Sequence, residues 1–253
     1  MRKRLVTAGL VVIAVGLAAI ATPTAQRGGG RYQQGSYSGN VRYDGRFVFV
    51  RLSYPDWGRM PRWAHDHPRG ETHFLKMWSE LTIAPSHVEE SSVMALSDLD
   101  LFKFPVAYMC EPGYWQLQSD QEAKLLRDYL EKGGFMIFDD FRNFREWGNF
   151  EYQMTRVLPQ GHWVDLTPDH RIFHSFYEIN SFDMVPQAYD AGKPMFRGYF
   201  KDNDPNKRLM VVAAFNTDMS EFWEWSDTGY APVEINNQAY KIGINLFMYG
   251  LTH

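Results

Sequence analysis

The chain has 253 residues, of which 45% are hydrophobic and 16% aromatic, and its formal net charge at pH 7 is −4. This composition is typical of one large globular domain with a substantial core. The negative charge argues against binding to nucleic acid or to anionic lipid. The only cysteine is Cys110, which excludes an internal disulfide bond.

Residues 1–21 are typical of a secretory signal peptide. Three basic residues, Arg2-Lys3-Arg4, precede an apolar run that ends in the small-residue sequence Ala19-Ile20-Ala21. The apolar run, residues 5–21, also approaches the ~17–25 residues that span a bilayer, so an uncleaved inner-membrane anchor is the alternative. We therefore expect an exported protein, periplasmic or secreted, that meets a membrane only through this segment.

Residues 22–45 are rich in Gly, Ser, Gln and Arg and contain few aliphatic residues. This composition is typical of a flexible linker. The folded domain is predicted to span residues 46–253.

The domain opens with an apolar segment, residues 47–52, which predicts a strand buried on both faces. Apolar residues at helical spacing then predict a helix over 71–81. The short segment 82–84 is interpreted as a second strand.

The clearest helix lies between two further apolar strands, 105–109 and 135–138. It begins at the capping box Ser119-Asp120-Gln121-Glu122, in which the serine hydroxyl accepts from a backbone N–H and the glutamate reaches back. Gly133-Gly134 ends it, because glycine adopts the left-handed conformation at low cost.

The second half of the domain has weaker patterns. They predict a helix at 150–157, a turn at 167–169, strands at 195–200 and 209–215, and a closing helix over 238–249. Strands that alternate with helices indicate an α/β domain with a mainly parallel sheet and helices on both faces.

Polar residues follow four of the predicted strands. Open parallel sheets bind ligands beyond the carboxyl ends of their strands, so these side chains are candidates for one ligand-binding rim. The alternative is that loops are solvated and that Asp and Asn favour turns. The rim candidates are Tyr54, Asp56, Cys110, Glu111, Asp139, Asp140, Asn216 and Asp218.

Six segments, in this order and spacing, resemble the bacterial family known as domain of unknown function 4159, over roughly residues 46–251. The resemblance implies a three-layer fold similar to class I glutamine amidotransferase-like (flavodoxin-like) domains and to the ThuA-like group. It implies no reaction. The segments are FVFVRLSYPDWG, WAHDHPRGETHFLKMWSELT, FPVAYM, LRDYLEKGGFMIFDD, LTPDHRIFHSFYEI and GINLFMYGL.

The resemblance directs attention to Cys110, because amidotransferases place a nucleophilic cysteine in a Gly-x-Cys-x-Gly turn that leads directly into a helix. Here Tyr108 lies two residues before the cysteine, and the next helix starts only near Ser119. The Cys-His-Glu triad also needs a His-x-Glu pair. No such pair is formed by His162, His170 or His174. We interpret Cys110 as a small buried residue, since a reactive thiol needs an electropositive setting.

Two segments that contain histidines are candidate sites. His65-Asp66-His67, with His73 nearby, has closely spaced imidazoles but lacks a complete ligand set, so we predict no metal and no cofactor. Asp169-His170 is a candidate acid–base pair, and its alternative is a capping aspartate beside a surface histidine. The stretch 221–225 combines aromatic residues with carboxylates, which suits either sugar stacking or core packing.

Two functions follow from these observations. The favoured one is a non-catalytic binding or assembly module of the cell envelope, whose partner is an unknown small molecule or envelope protein. The alternative is a hydrolase or isomerase that acts on a sugar or an amide. Its acid–base groups would be Asp139, Asp140 and His170.

Overall fold

A computed structural model describes residues 39–56, 58, 60–183 and 192–253. The predicted signal segment, residues 1–21, and residues 22–38 of the predicted linker lie outside this part of the chain. Within it, none of the helices has both the length and the apolar character needed to cross a bilayer.

The described residues form a seven-stranded sheet. Its strands are β1 Val50–Ser53, β2 Ser92–Ala95, β3 Val106–Cys110, β4 Phe135–Phe141, β5 Val164–Leu166, β6 Met195–Phe200 and β7 Leu209–Phe215. The order across the sheet is β2-β1-β3-β4-β7-β6-β5. Neighbours from β2 to β7 are parallel, whereas β6 is antiparallel to both β7 and β5.

The central strands β3, β4 and β7 are apolar on both faces, as parallel strands covered by helices must be. The predicted strands 105–109, 135–138, 195–200 and 209–215 are confirmed. The predicted strand at 82–84 is wrong, because these residues directly follow a helix that ends at Leu81, and Ile83 is fully exposed. The partner of β1 is instead β2, which starts ten residues after the start of the predicted strand.

Five α-helices accompany the sheet in the described residues: α1 Arg69–Leu81, α2 Asp120–Glu131, α3 Asn143–Val157, α4 Met219–Glu224 and α5 Val233–Thr252. The cap of α2 is as predicted on one side, since Ser119 Oγ accepts from Glu122 N at 3.2 Å. The glutamate side chain, however, accepts from Gln118 N rather than from the serine. Helix α3 starts seven residues earlier than predicted, because Asn143 Oδ1 accepts from the N–H groups of Arg145 and Glu146.

Helices cover both faces of the sheet, as the sequence predicted. Helices α1, α4 and α5 enclose one buried cluster, which contains Phe74, Trp223 and Phe247. Helices α2 and α3 enclose the other, which contains Leu126 and Phe150. The carboxyl ends of β1, β3, β4 and β7 therefore emerge at one edge, between two packed helical layers.

Candidate functional site

The parallel register brings acidic residues from distant parts of the chain to one edge of the sheet. Cys110, the last residue of β3, is paired with Asp139 of β4, and β7 runs into the loop that carries Asp218. The loop before α1 and helix α4 supply the rest. We call this group the strand-end site: His65, Asp66, Cys110, Glu111, Asp140, Asp218, Glu221 and Glu224.

The thiol of Cys110 lies between two carboxylates. Its Sγ is 3.7 Å from Asp140 Oδ2 and 4.0 Å from Asp66 Oδ2, and the side chain has no solvent exposure. Burial, followed by the charges of Asp140 and Asp66, raises the pKa of this thiol well above its usual value. The thiol is thus a proton donor to its neighbours, which is the opposite of the setting that activates a cysteine nucleophile.

Asp139 ties three elements together. Its Oδ2 accepts from Tyr108 Oη at 2.8 Å, from Met219 N at 3.0 Å and from Ser220 N at 3.3 Å, so it links β4 to β3 and to α4. Its Oδ1 is buried and has no hydrogen-bond partner among the described residues. Burial raises the pKa of Asp139 to about 7.

Asp140 and Asp218 are both buried. Burial is the main cause that raises the pKa of each carboxyl well above its usual value; Asp66 adds to the rise at Asp140, and Asp140 adds to it at Asp218. Asp218 also caps α4, since its Oδ1 accepts from Glu221 N at 3.0 Å. Asp66 Oδ2 accepts from Ser220 Oγ at 2.5 Å, which joins the loop before α1 to α4.

The backbone around the site is held in an unusual conformation. Four non-glycine residues at or beside the strand ends have left-handed φ angles: Asp66 at 63°, Glu111 at 46°, Asp140 at 56° and Asn216 at 61°. Residues other than glycine are disfavoured in the left-handed region, and such conformations cluster at functional sites. Their concentration at one edge of the sheet marks this edge as the functional candidate.

A buried arginine holds the loop that carries His65 and Asp66. Arg51 of β1 forms an ion pair with Glu71 of α1, and its Nη1 donates to Trp63 O at 2.9 Å and to His65 O at 3.0 Å. Burial alone would raise the pKa of Glu71, but the charges and hydrogen bonds of Arg51 and His67 together outweigh burial and lower that pKa to about 2. The guanidinium therefore fixes the loop backbone while its charge is matched by Glu71.

The imidazole of His65 contacts the carboxylate of Glu111. Burial by itself would lower the pKa of His65, but the hydrogen bond and the charge of Glu111 raise it overall. His65 is therefore the histidine of the predicted His65-Asp66-His67 group that the structure places in the strand-end site.

The described residues contain three overlapping sets of side chains that can hold a metal ion. They are His65–Glu111–Asp140, Asp66–Cys110–Asp140 and Asp66–Glu221–Glu224, and within each set one ligand atom per residue lies within 4.8 Å of the others. Bonds of about 2.0–2.6 Å to one cation place its ligand atoms at such mutual distances. Because Asp66 and Asp140 each belong to two sets, the ligands converge on these two carboxylates.

His170 lies away from this site. It precedes the 3₁₀ turn Arg171–His174, where its Nδ1 accepts from Ile172 N at 3.3 Å and its ring meets Phe200 edge-on at 5.7 Å. Phe200 pairs with Leu209, the first residue of β7, so His170 lies at the opposite edge of the sheet from Asp140. Burial lowers its pKa to about 4. The structure thus separates His170 from the two aspartates with which it was grouped.

The remaining rim candidates support the loops. Tyr54 Oη lies 2.7 Å from Glu111 O, to which it donates, and 3.2 Å from Cys110 O. Asp56 accepts from the N–H groups of Gly58 and Arg62. Asn216 Nδ2 donates to Lys193 O at 2.9 Å. These side chains hold the backbone in place around the acidic groups.

Sequence reasoning missed Asp66, Glu221 and Glu224 as candidate ligands. Of the two interpretations of the stretch 221–225, sugar stacking and core packing, the structure confirms core packing for Trp223, which is 1% exposed. A signal was present: Asp218 and Glu221 have the spacing of a capping box directly after a strand. That spacing predicts the start of α4, which turns both glutamates toward the strand ends.

A comparison with protein-family models matches residues 46–251 to the family described as Domain of unknown function (DUF4159). The match covers most of the chain. The comparison with curated proteins found no match.

Proposed function

The chain belongs to the family described as a domain of unknown function (DUF4159), and on that premise we propose that it is a non-catalytic binding module of the cell envelope whose strand-end site holds a divalent cation. The proposal includes export, for which the pattern of residues 1–21 is the support. It also includes a fold of the amidotransferase-like and ThuA-like kind. That likeness is supported by the parallel strands β2 to β7 between two helical layers.

The observation that carries the cation is the convergence of the three ligand sets on Asp66 and Asp140. The sets are not acidic alone, since they include the imidazole of His65 and the thiol of Cys110. Next to them, Asp139 Oδ1 is buried without a hydrogen bond from the described residues, and the charge of Asp66 acts on this carboxyl. Buried oxygen atoms without a donor are costly, and a cation would satisfy them.

Protons compete with the cation for these carboxyl groups, because the pKa values of the carboxyl groups are raised. When no cation is bound, Asp140 and Asp218 reduce their mutual repulsion by keeping protons. A divalent ion bound by Asp140 would displace the proton of this carboxyl, because the ligands of a cation must be deprotonated. Binding is therefore expected to strengthen as the pH rises.

Two arrangements argue for a module without catalysis. The thiol of Cys110 is buried and disfavoured as a thiolate, and His170 lies at the opposite edge of the sheet. Among the described residues, His170 therefore does not approach Asp139 or Asp140, the carboxyl groups with which the sequence grouped it. A binding module attached through the predicted linker 22–45 would use the site to hold a small molecule, or to order the surface that meets an envelope protein.

One observation favours the alternative, a hydrolase or isomerase acting on a sugar or an amide. His65 and Asp140 belong to the same ligand set, and the side chain of His65 is one-third exposed. An imidazole beside a carboxylate of raised pKa is a usable acid–base pair. In this alternative the histidine is His65, not His170.

The cation is tested by thermal melting and calorimetric titration of the purified protein, stripped with EDTA, against Mg²⁺, Ca²⁺, Mn²⁺ and Zn²⁺. An ion at a hundred times its dissociation constant adds about 2.7 kcal/mol of stability, which raises the melting midpoint by roughly 5–10 °C. Asp66→Asn and Asp140→Asn should lose this rise, whereas the matched control Asp169→Asn, at an exposed position, should keep it.

A flat response to all four ions would refute the cation, and so would a rise retained in both site variants. The two functions are separated by assaying the ion-loaded protein with nitrophenyl glycosides and anilides. Turnover that is lost in His65→Gln but not in His170→Gln would establish the enzyme and overturn the non-catalytic proposal.

A further inference from the structure

A separate groove of about 470 Å³ lies between α3 and the segment that leads into β5. It is lined by Glu151, Tyr152 and Thr155 of α3, by His162 and Trp163, and by Tyr199 of β6. The volume falls within the range of about 300–1,000 Å³ that is typical of small-molecule sites. None of the strand-end residues lines it.

The wall of the groove is aromatic and held in place from behind. The ring centroids of Trp163 and Tyr199 are 4.1 Å apart, and Trp163 also packs against Trp147 and Phe150 at 5.3 Å. Tyr152 stands at the mouth with 63% of its surface exposed. The groove thus combines a rigid indole with an exposed phenol ring, and flat rings of this kind bind apolar faces at low entropic cost.

The other wall is a polar face of α3. Gly148, Glu151, Tyr152 and Thr155 recur at helical spacing, so they lie on one side of the helix. A side chain at Gly148 would meet no atom within 4 Å, and the absence of one keeps this wall open. Tyr199 also lines the groove, and burial, followed by the charge of Glu151, raises its pKa to about 12.

The lining has the chemistry of a sugar site. A carboxylate, a threonine hydroxyl, an imidazole and phenol groups can donate to and accept from several hydroxyl groups. Among the lining residues there is no Lys or Arg, which does not suit a phosphate or another anion. From the aromatic wall, the polar face of α3 and the lack of basic groups, we infer that this groove binds a neutral oligosaccharide.

The inference is tested by titrating the purified protein with maltohexaose, cellohexaose and chitohexaose at millimolar concentrations, with tryptophan fluorescence and calorimetry as readouts. We expect saturable binding of at least one of the three. Tyr152→Ala should weaken it about threefold to tenfold, the effect of losing one aromatic contact. Glu151→Gln should weaken it as well, because charge-assisted hydrogen bonds to hydroxyl groups are the stronger ones.

The matched control is Phe144→Ala, which removes another exposed aromatic ring from α3, 81% exposed and outside the groove. This variant should bind as the parent does, and EDTA should leave the affinity unchanged, so that failure of the cation proposal and failure of the sugar proposal are distinguishable. Absence of binding to all three sugars would overturn the inference. An equal loss in Phe144→Ala, or full affinity in Tyr152→Ala, would overturn it too.

Discussion

Replacing Asp139 with Asn should remove part of the dependence of folding stability on pH. The carboxyl is buried, with a pKa of about 7 in the folded protein against 3.8 in the unfolded chain. An acid whose pKa is raised by folding binds its proton more tightly in the folded state. Its contribution to stability is therefore complete below pH 3.8 and is lost as the pH rises toward 7.

The size of the effect follows from the two pKa values. Between pH 3.8 and 7 the free energy of unfolding falls by about 1.4 kcal/mol for each pH unit, or about 4 kcal/mol in all. Asp140 and Asp218 act in the same direction and remain in the variant, so its slope is reduced but does not vanish. Glu71 acts in the opposite direction, but below pH 4.5. The window from pH 5 to 7 is thus free of its contribution.

The assay is guanidinium unfolding of the purified protein in EDTA at pH 5, 6, 7 and 8, followed by tryptophan fluorescence. At pH 5 the parent and Asp139→Asn both carry a neutral group at this position and should be similarly stable. By pH 7 the variant should have lost about 2 kcal/mol less than the parent. Asp169→Asn, at an exposed position, serves as the control. Parallel pH curves for parent and Asp139→Asn would refute the reasoning, because the carboxylate would then be ionised at no cost.

Three further outcomes are expected. The thiol of Cys110 has no solvent exposure. A thiol reagent should therefore label it readily in guanidinium, but in buffer only as fast as the protein unfolds. Rapid labelling of the native protein would contradict the burial of this thiol. Arg51→Met leaves Glu71 buried without the arginine and should lower the free energy of unfolding, measured in guanidinium, by about 3–5 kcal/mol. The double variant Arg51→Met with Glu71→Leu should recover much of this loss. No recovery would show that the arginine acts mainly through its loop contacts. Gly243→Ala would place a Cβ 2.5 Å from the ring of Trp223 and should lower stability by about 1–3 kcal/mol in the same assay, and a neutral effect would mean that the helix shifts without cost.

Much of the fold was predictable because it depends on local patterns. The apolar runs at 105–109 and 209–215 predict strands that are covered on both faces. Ser119 marks the start of α2, because its own side chain caps the helix. The failures were equally local. Residues 82–84 resemble a short strand but directly follow α1, and the sequence does not predict β2 because Ser92–Ala95 is short and weakly patterned.

The candidate site was predictable only in part. From the rule that ligands bind at the carboxyl ends of parallel strands, the sequence predicted the edge at which the structure gathers Cys110, Glu111, Asp140 and Asp218. It could not identify Asp66, because that residue reaches the site through a loop whose path depends on the buried guanidinium of Arg51. The grouping of His170 with the aspartates failed for a related reason. The sequence places His170 beside a turn, but it does not reveal at which edge of the sheet that turn lies.

The sequence alone determined the α/β class, the mainly parallel sheet and the edge at which polar residues follow the strands, because periodicity, caps and strand ends act over a few residues. Only the tertiary structure decided which side chains share that edge, which carboxyls lose their water, and where a groove opens beside α3. These properties depend on distances between residues that lie up to 158 positions apart, such as Asp66 and Glu224. Chain crossings and helix packing set such distances, and no local pattern encodes them.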